Sequence, residues 1–413
     1  MVFSLWDECV LSSVKLKIKS YICTMLKAFR YRLCPTEEQS VLLNKHIGSV
    51  RFLYNLALET KQMAWAGSKV DLNRYDLQKQ LKDLKNDLTW LKEVNSQSLQ
   101  VALMNLDAAY LRFFKGQSSF PKFKSKSKGK QSFNIPQNVK VENGKLVIPK
   151  FRDGIEIVLH RPTKGTIKQA TISRTPTGKY FVSILCETGE DCKPKTKVTE
   201  ENTVGIDLGI KDFAVTSEGE VFENPNNLRK AQSKLKYIQR KYSKHKGKRT
   251  KYKLAKAHEK VANQRKDFLH KVSTKLIREN QSIALENLNV SGMLKNHCLA
   301  QAITDVSWST FVTMLEYKAD WYGVNILRIG RFEPSSKTCT CGVINKDLKL
   351  SDRTWTCKSC GVTHDRDILA ANNIKSFALK NNLSGEHRLK NRNELPVMSG
   401  VLTSEAHRSL VGG

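Results

Sequence analysis

Acidic residues are scarce in this chain: 39 Asp and Glu stand against 70 Lys and Arg in 413 residues, a formal charge of +31. An excess of that size excludes an ordinary self-contained surface, because like charge so dense repels itself unless a polyanion neutralises it. Nucleic acid is the polyanion to expect, although a ribosomal or chromatin protein would be as basic without performing any reaction. No apolar run approaches the roughly 18 residues that a membrane-spanning helix requires, so no membrane partner is expected. The opening residues also lack the basic-then-apolar order of a secretory leader, since Asp7 and Glu8 mix with Lys15, Lys17 and Lys19. Residues 1–25 are expected to be a poorly ordered extension, or to precede the native start if translation begins at Met25.

Ten cysteines are present, but their positions do not read as a disulfide framework. Cys9, Cys23, Cys34, Cys186, Cys192 and Cys298 are scattered, whereas Cys339, Cys341, Cys357 and Cys360 cluster as Cys-x-Cys, fifteen residues, then Cys-x-x-Cys. That pattern fits a reducing compartment, the cytosol, with one metal site. Four soft thiolates suit tetrahedral zinc with no open position, which predicts a structural site. Gly342 and Gly361 follow a ligand in each half, as the tight backbone of a knuckle needs. The first half is one residue shorter than a ribbon normally has, which either distorts that knuckle or lets His364 replace a thiolate.

A period-two run over 27–33 predicts a strand. Thr36 with Gln39 reads as a capping box, and Val41, Leu42, Ile47, Val50, Leu53, Tyr54 and Ala57 continue a helical stripe. Leu77, Leu81 and Leu84 mark a second helix, and a third runs from about Asn95 through Phe113 to a stop at Gly116. Residues 120–133 interleave Phe120, Phe123 and Phe133 with lysines and have no period. A loop that stacks bases and meets phosphates has that composition, and so does a solvated linker. Short β-rich runs at 145–149, 154–160, 167–174 and 179–186 predict a small antiparallel barrel or sheet, completed by the early strand. The polar stretch 187–202, broken by Pro194, is the expected boundary.

Beyond it, 203–210 reads as a buried strand with a hairpin partner at 213–222. Residues 229–275 hold 18 Lys or Arg against two acids, Glu259 and Asp267, which predicts one or two long helices on a phosphate backbone. Strands at 283–285 and 324–329 flank a helix carrying Trp308, Phe311, Val312, Leu315, Ala319 and Tyr322. A last helix covers about 368–379, and the polar tail 381–413 is expected to be disordered.

Three acids fall at the ends of elements. Asp207 lies in an apolar strand between Gly205 and Gly209, small neighbours that would leave room for a metal and a phosphate. The same Gly-Ile-Asp-Leu-Gly string opens actin-like and sugar-kinase folds, and an Asp can simply cap a turn there. Glu286 ends the strand at 283–285. Asp365 and Asp367 bracket Arg366 before the last helix, where acids also favour the helix dipole. Gathered together, such hard oxygen ligands hold magnesium for phosphodiester cleavage, with two ions roughly 3.5–4 Å apart in a two-metal site.

Together, the string from Gly205 to Gly209, the strand-ending Glu286, Phe332-Glu-Pro-Ser-Ser-Lys-Thr-Cys339, the cysteine quartet and His364-Asp-Arg-Asp367 resemble TnpB, the transposon-encoded relative of type V CRISPR nucleases. The likeness runs from about Leu26 to Leu379 and includes Arg51 to Asn55 and Asp267 to Lys271. It implies an α/β protein: a ribonuclease H-like (RuvC) nuclease domain over 196–334 and 364–380, with an inserted zinc ribbon over 335–363. A β-barrel wedge domain over 26–195 would precede it, carrying a helical recognition insert at about 36–116. The implied reaction is magnesium-dependent, RNA-guided cleavage of double-stranded DNA beside a short flanking motif. Asp207, Glu286 and Asp367, rather than Asp365, would bind the metal, and the guide RNA would come from the transposon end. Position 369 is Leu where the family commonly has Asn, and the Cys-x-Cys spacing is the second departure. Two rival readings are a transposase and a non-catalytic zinc-ribbon regulator. The first lacks the His-x-His pair that small single-strand transposases use beside a nucleophilic tyrosine.

Overall fold

Alternation along β1 (Thr24–Cys34) buries Phe29, Tyr31 and Leu33 on one face. The computed structural model describes residues 24–383 apart from 128, 297, 298, 350 and 351, so nearly all of the expected extension and of the tail lie outside the described residues, while Thr24 and Met25 belong to β1. Thr36 then caps α1 (Glu37–Ser68): its hydroxyl accepts from the Gln39 amide at 3.3 Å and the Gln39 side chain accepts from the Thr36 amide at 3.1 Å. Helices α2 (Arg74–Asp87) and α3 (Ser96–Phe114) follow, each opened by an asparagine cap, Asn73 and Asn95. Their apolar stripes meet those of α1 and of the sheet in one continuous core that includes Leu43, Leu58, Leu99, Leu103 and Leu106.

The sheet beneath them is antiparallel and seven-stranded. It adds β2 (Gln131–Ile135), β3 (Lys140–Glu142), β4 (Lys145–Ile148), β5 (Phe151–Val158), β6 (Thr166–Arg174) and β7 (Tyr180–Asp191) to β1, in the order β2-β6-β7-β1-β5-β4-β3. Among the described residues no ladder joins the end strands β2 and β3. Two sequence expectations need correction. Phe133, read as part of a contact loop, sits in β2, paired with Ile172 and 2 % exposed, because burying its ring outweighs the loop-like composition around it. The segment before it is also tied down: the Asn55 side chain donates to the Lys124 carbonyl at 2.9 Å and accepts from its amide at 2.7 Å.

A second, five-stranded sheet is built from β8 (Thr203–Leu208), β9 (Asp212–Thr216), β10 (Val221–Glu223), β11 (Ser282–Leu285) and β12 (Asn325–Arg328). The run expected as one hairpin partner is two strands, split by a turn at Gly219. The order β10-β9-β8-β11-β12 places an antiparallel meander beside two strands parallel to β8. Between β10 and β11 run the cationic helices α4 (Asn227–Lys244) and α5 (Lys248–Glu279). Short helices α6 (Val290–Met293) and α7 (Ala300–Val306) lead to α8 (Trp308–Tyr322), whose Trp308, Phe311 and Leu315 enter the core. A hairpin of β13 (Thr354–Thr356) and β14 (Thr363–Asp365) precedes α9 (Arg366–Leu383), which runs past the end expected for it.

Contacts divide the chain into two units: residues up to 193 with 230–264, and 194–229 with 265 onward. Most of α4 and the first half of α5 therefore group with the seven-stranded sheet, through contacts such as Glu259 with Lys179 at 3.1 Å. No helix among the described residues is long and apolar enough to cross a membrane.

Candidate active site

Strands β8 and β11 run parallel in the register Leu285↔Ile206, so one further step along both sets Glu286 beside Asp207 at the carboxyl ends of the strands. Open α/β sheets present ligand sites at that edge. Side chains alternate along a strand, so Gly205 and Asp207 share a face, and α9 crosses that face. Its approach is as close as backbone allows: a Cβ on Gly205 would stand 2.0 Å from the Ala371 carbonyl and 2.9 Å from the Lys375 amide. Asp367 lies one helical turn before Ala371, which carries its carboxylate toward Asp207.

The role expected for the glycines is thus corrected. Gly205 does not leave room for a metal and a phosphate; its missing side chain admits the helix that delivers the third acid. Gly209 serves the turn into β9, where a Cβ would meet the Asp212 carbonyl at 2.5 Å.

The three acids lie within reach of one another's charge. Burial, then the charges of Glu286 and Asp367, push the Asp207 carboxyl from 3.8 to about 7, against the opposing pull of Arg366 and Arg353. Asp365 stands apart in role: one of its oxygens accepts from the Asp367 and Ile368 amides, both at 3.0 Å, and so caps α9. Asp367 instead accepts from Arg353 at 2.7 Å and from Arg366 at 3.1 and 3.2 Å. The sequence reading missed both partners of Asp367; Arg366 was visible between the two acids, while nothing near Arg353 marked it. Glu286 accepts from the Ser335 hydroxyl at 2.5 Å, and a cavity of about 240 Å³ opens beside it, lined also by Trp308, Val312 and Arg328.

The chemistry of these donors suits a divalent cation, since hard carboxylate oxygens carry mutual repulsion that a cation would relieve, but among the described residues only the cysteine quartet already has its ligand atoms within 4.8 Å of one another. The repulsion has a sign that can be measured. Because folding raises the Asp207 pKa, the cost to the fold is absent below about pH 4, grows with pH and is complete above about 7. In magnesium-free buffer, the melting temperature of Asp207→Asn should therefore exceed that of the unaltered protein by a margin that widens from pH 5 to pH 8. A margin that stays flat across that range would show that Asp207 is not the strained acid.

The cysteines form a second centre. The sulfurs of Cys339, Cys341, Cys357 and Cys360 all lie within 4.8 Å of one another, which fits a tetrahedral metal. Gly342 and Gly361 take φ of 89° and 73°, and their amides donate back to the Cys339 and Cys357 carbonyls at 2.9 Å. The short first spacing therefore still delivers both thiols. His364 sits beside the quartet, Nε2 at 3.1 Å from the Cys339 sulfur, and its ring tilts against Trp355. Leu369, in the first turn of α9 two residues after Asp367, packs with Cys339, Cys357 and Trp355.

In the first unit a cavity of about 470 Å³ is lined by Arg51, Phe123, Lys124 and Lys130 among others. Lys124 also lies over the Tyr54 ring at 3.7 Å, and burial pulls its pKa down. Phe120 packs edge-on against Tyr110 and Phe113, which leaves Phe123 the more exposed ring of the pair.

Fold and site together define an α/β protein of nuclease type with an inserted cysteine ribbon. Residues 183–297 match the family model described as "Probable transposase" (OrfB of the IS605 type), and residues 308–374 match a "Cas12f1-like, TNB domain". Residues 25–69 match a model described as "Helix-turn-helix domain", although β1 and the single helix α1 occupy them here. A Streptomyces pristinaespiralis protein named "Putative RNA-guided DNA endonuclease" is 37% identical over 397 residues, covering 94% of this chain and 98% of its own. A protein of the same description from Escherichia coli (strain K12) is 30% identical over 374 residues, covering 84% and 91%. A solved chain from a Cas12f1–sgRNA–target DNA complex shares the fold, with a TM-score of 0.50 at 14% identity over 82% of this chain and 83% of that one. The chain belongs to the OrfB, or TnpB-type, family.

Proposed function

We propose that this protein is an RNA-guided endonuclease that cuts double-stranded DNA beside a short flanking motif. The observation that supports the reading most is that Glu286 and Asp367, from two other elements, both act on the buried Asp207 carboxyl at the carboxyl edge of the five-stranded sheet. In this reading the three carboxylates hold magnesium. Once bound, magnesium would polarise the scissile phosphate and lower the pKa of a water. The chain's own task would be to bring three acids from separate elements close enough to share a cation. Arg353 and Arg366 orient the Asp367 carboxylate: each of its oxygens already accepts from a guanidinium, so a metal would use its remaining lone pairs or displace Arg353. The four cysteines would hold zinc as a structural brace.

Guide RNA, in this reading transcribed from the transposon end, would lie on the cationic helices α4 and α5 and on the seven-stranded sheet, which would act as the barrel-like wedge domain. Glu259 pairs with Lys179, outside the basic stretch, and Asp267 with Lys271, inside it, at 2.8 Å; two acids against 18 cations leave most of its positive charge for an RNA backbone. Base pairing would then read the target.

The test is to coexpress the protein with the flanking DNA of its element, sequence the RNA that copurifies, and offer plasmids with and without a complementary site in magnesium. A discrete RNA and cleavage restricted to the complementary plasmid are expected. Cutting that ignores guide sequence would remove the RNA guidance, and binding without any cutting would favour the non-catalytic regulator.

A further inference from the structure

The geometry points to Ser335 as the positioning residue for Glu286, locked in place by Asn373; the inference rests on the nuclease reading above. Glu286 lies just beyond the end of β11, where no ladder holds it, so its carboxylate needs another anchor if it is to face Asp207 in one orientation. The anchor is the Ser335 hydroxyl, which donates to Oε1 at 2.5 Å, the short distance of a charge-assisted bond.

A serine on a free loop would be a poor anchor, since its backbone would wander. Here the backbone is fixed. The turn from Pro334 to Thr338 closes on itself through the Thr338 amide and hydroxyl, which donate to the Pro334 carbonyl at 3.1 and 2.7 Å. The Asn373 side chain, 8 % exposed, then donates to the carbonyls of Ser335 and Thr338 at 2.7 and 2.6 Å. Ser335 itself is 6 % exposed. Both amide hydrogens of one asparagine are thus used to pin the two ends of a single turn. Asn373 belongs to α9, the helix that carries Asp367, so one helix places the third acid directly and the second acid through the serine. The same turn leads into Cys339, the first thiol of the ribbon. Outer partners that orient metal-binding carboxylates commonly govern both affinity and rate.

The experiment uses the intact protein with its copurified RNA. Ser335→Ala should lower single-turnover cleavage at saturating DNA by about 10–100-fold, the usual loss for such partners. Manganese, used as the probe, should bind correspondingly more weakly to the protein in titration calorimetry. RNA content and melting temperature should stay close to those of the unaltered protein, and Ser335→Thr should restore both rate and manganese affinity. Asn373→Leu should reproduce the defect, and the double variant should be no worse than either single one, because both changes break one chain of contacts. Ser335→Ala that cleaves and binds manganese normally would overturn the inference. So would a drop in melting temperature with no rescue by threonine, which would make the hydroxyl a packing element. If Asn373→Leu does not fold, the serine pair decides alone. Failure of the unaltered complex to cut any target would count against the nuclease reading, whereas normal cutting by Ser335→Ala counts against the anchor only.

Discussion

Asp207→Ala should lower target cleavage by about a thousandfold or more, on the order of 4 kcal/mol of barrier, while the protein keeps its RNA and its fold. The expectation follows from where the residue sits. Asp207 stands one step past Ile206 as Glu286 stands one step past its partner Leu285, and its carboxyl is raised to about 7 by burial and then by the charges of Glu286 and Asp367. Removing it takes away the shared ligand and relieves the repulsion, so the variant should be at least as stable as the unaltered protein in magnesium-free buffer. Loss of cleavage together with loss of folding would not support the reading. Retained cleavage would refute the site outright. The measurement is the cutting rate on a matched plasmid, read beside the melting curve and the copurified RNA.

Gly205→Val should do the opposite, harming the fold before the chemistry. A Cβ at this position would stand 2.0 Å from a main-chain carbonyl and 2.9 Å from a main-chain amide of α9, and neither can swing aside as a side chain might. Overpacking against backbone costs about 3 kcal/mol, or more when the helix must move. The shift should appear as an earlier urea midpoint, with weaker cleavage because Asp367 moves with the helix. Gly48 provides the control: a Cβ there meets nothing within 4 Å, so Gly48→Ala should leave stability unchanged or raise it by about 0.5–1 kcal/mol, as expected of a glycine inside a helix. Equal effects at both positions would mean that the close approach of α9 is not what holds the acids together.

The parts of the molecule that depend on neighbours in sequence were legible in the sequence. The capping box at Thr36, the stripe through α1, the apolar run of β8 and the cysteine spacing each depend on residues a few positions away, and each formed where expected. The acids stood out because each lies at or beside the end of an element, while the topology that would bring them near one another did not show in the sequence. What escaped was decided by contacts far along the chain. Phe133 lies in a run that looks like linker until Ile172 pairs with it. Gly205 and Gly209 advertise space, and only α9 and the turn into β9 show how that space is filled. Ser335 is an ordinary serine until Glu286 arrives from 49 residues away.

The leucine at position 369 shows what that dependence means in practice. The resemblance drawn from the sequence implies asparagine there, and a designer following that pattern would be tempted to restore it. In this chain the side chain is sealed against two thiols and the Trp355 ring, with 4 % of its surface open. An amide inserted there would find little to bond with and would bear the full desolvation cost of an unmatched polar group. The departure from that pattern is part of how this ribbon is seated on its helix, so adopting the asparagine would loosen the brace it was meant to improve.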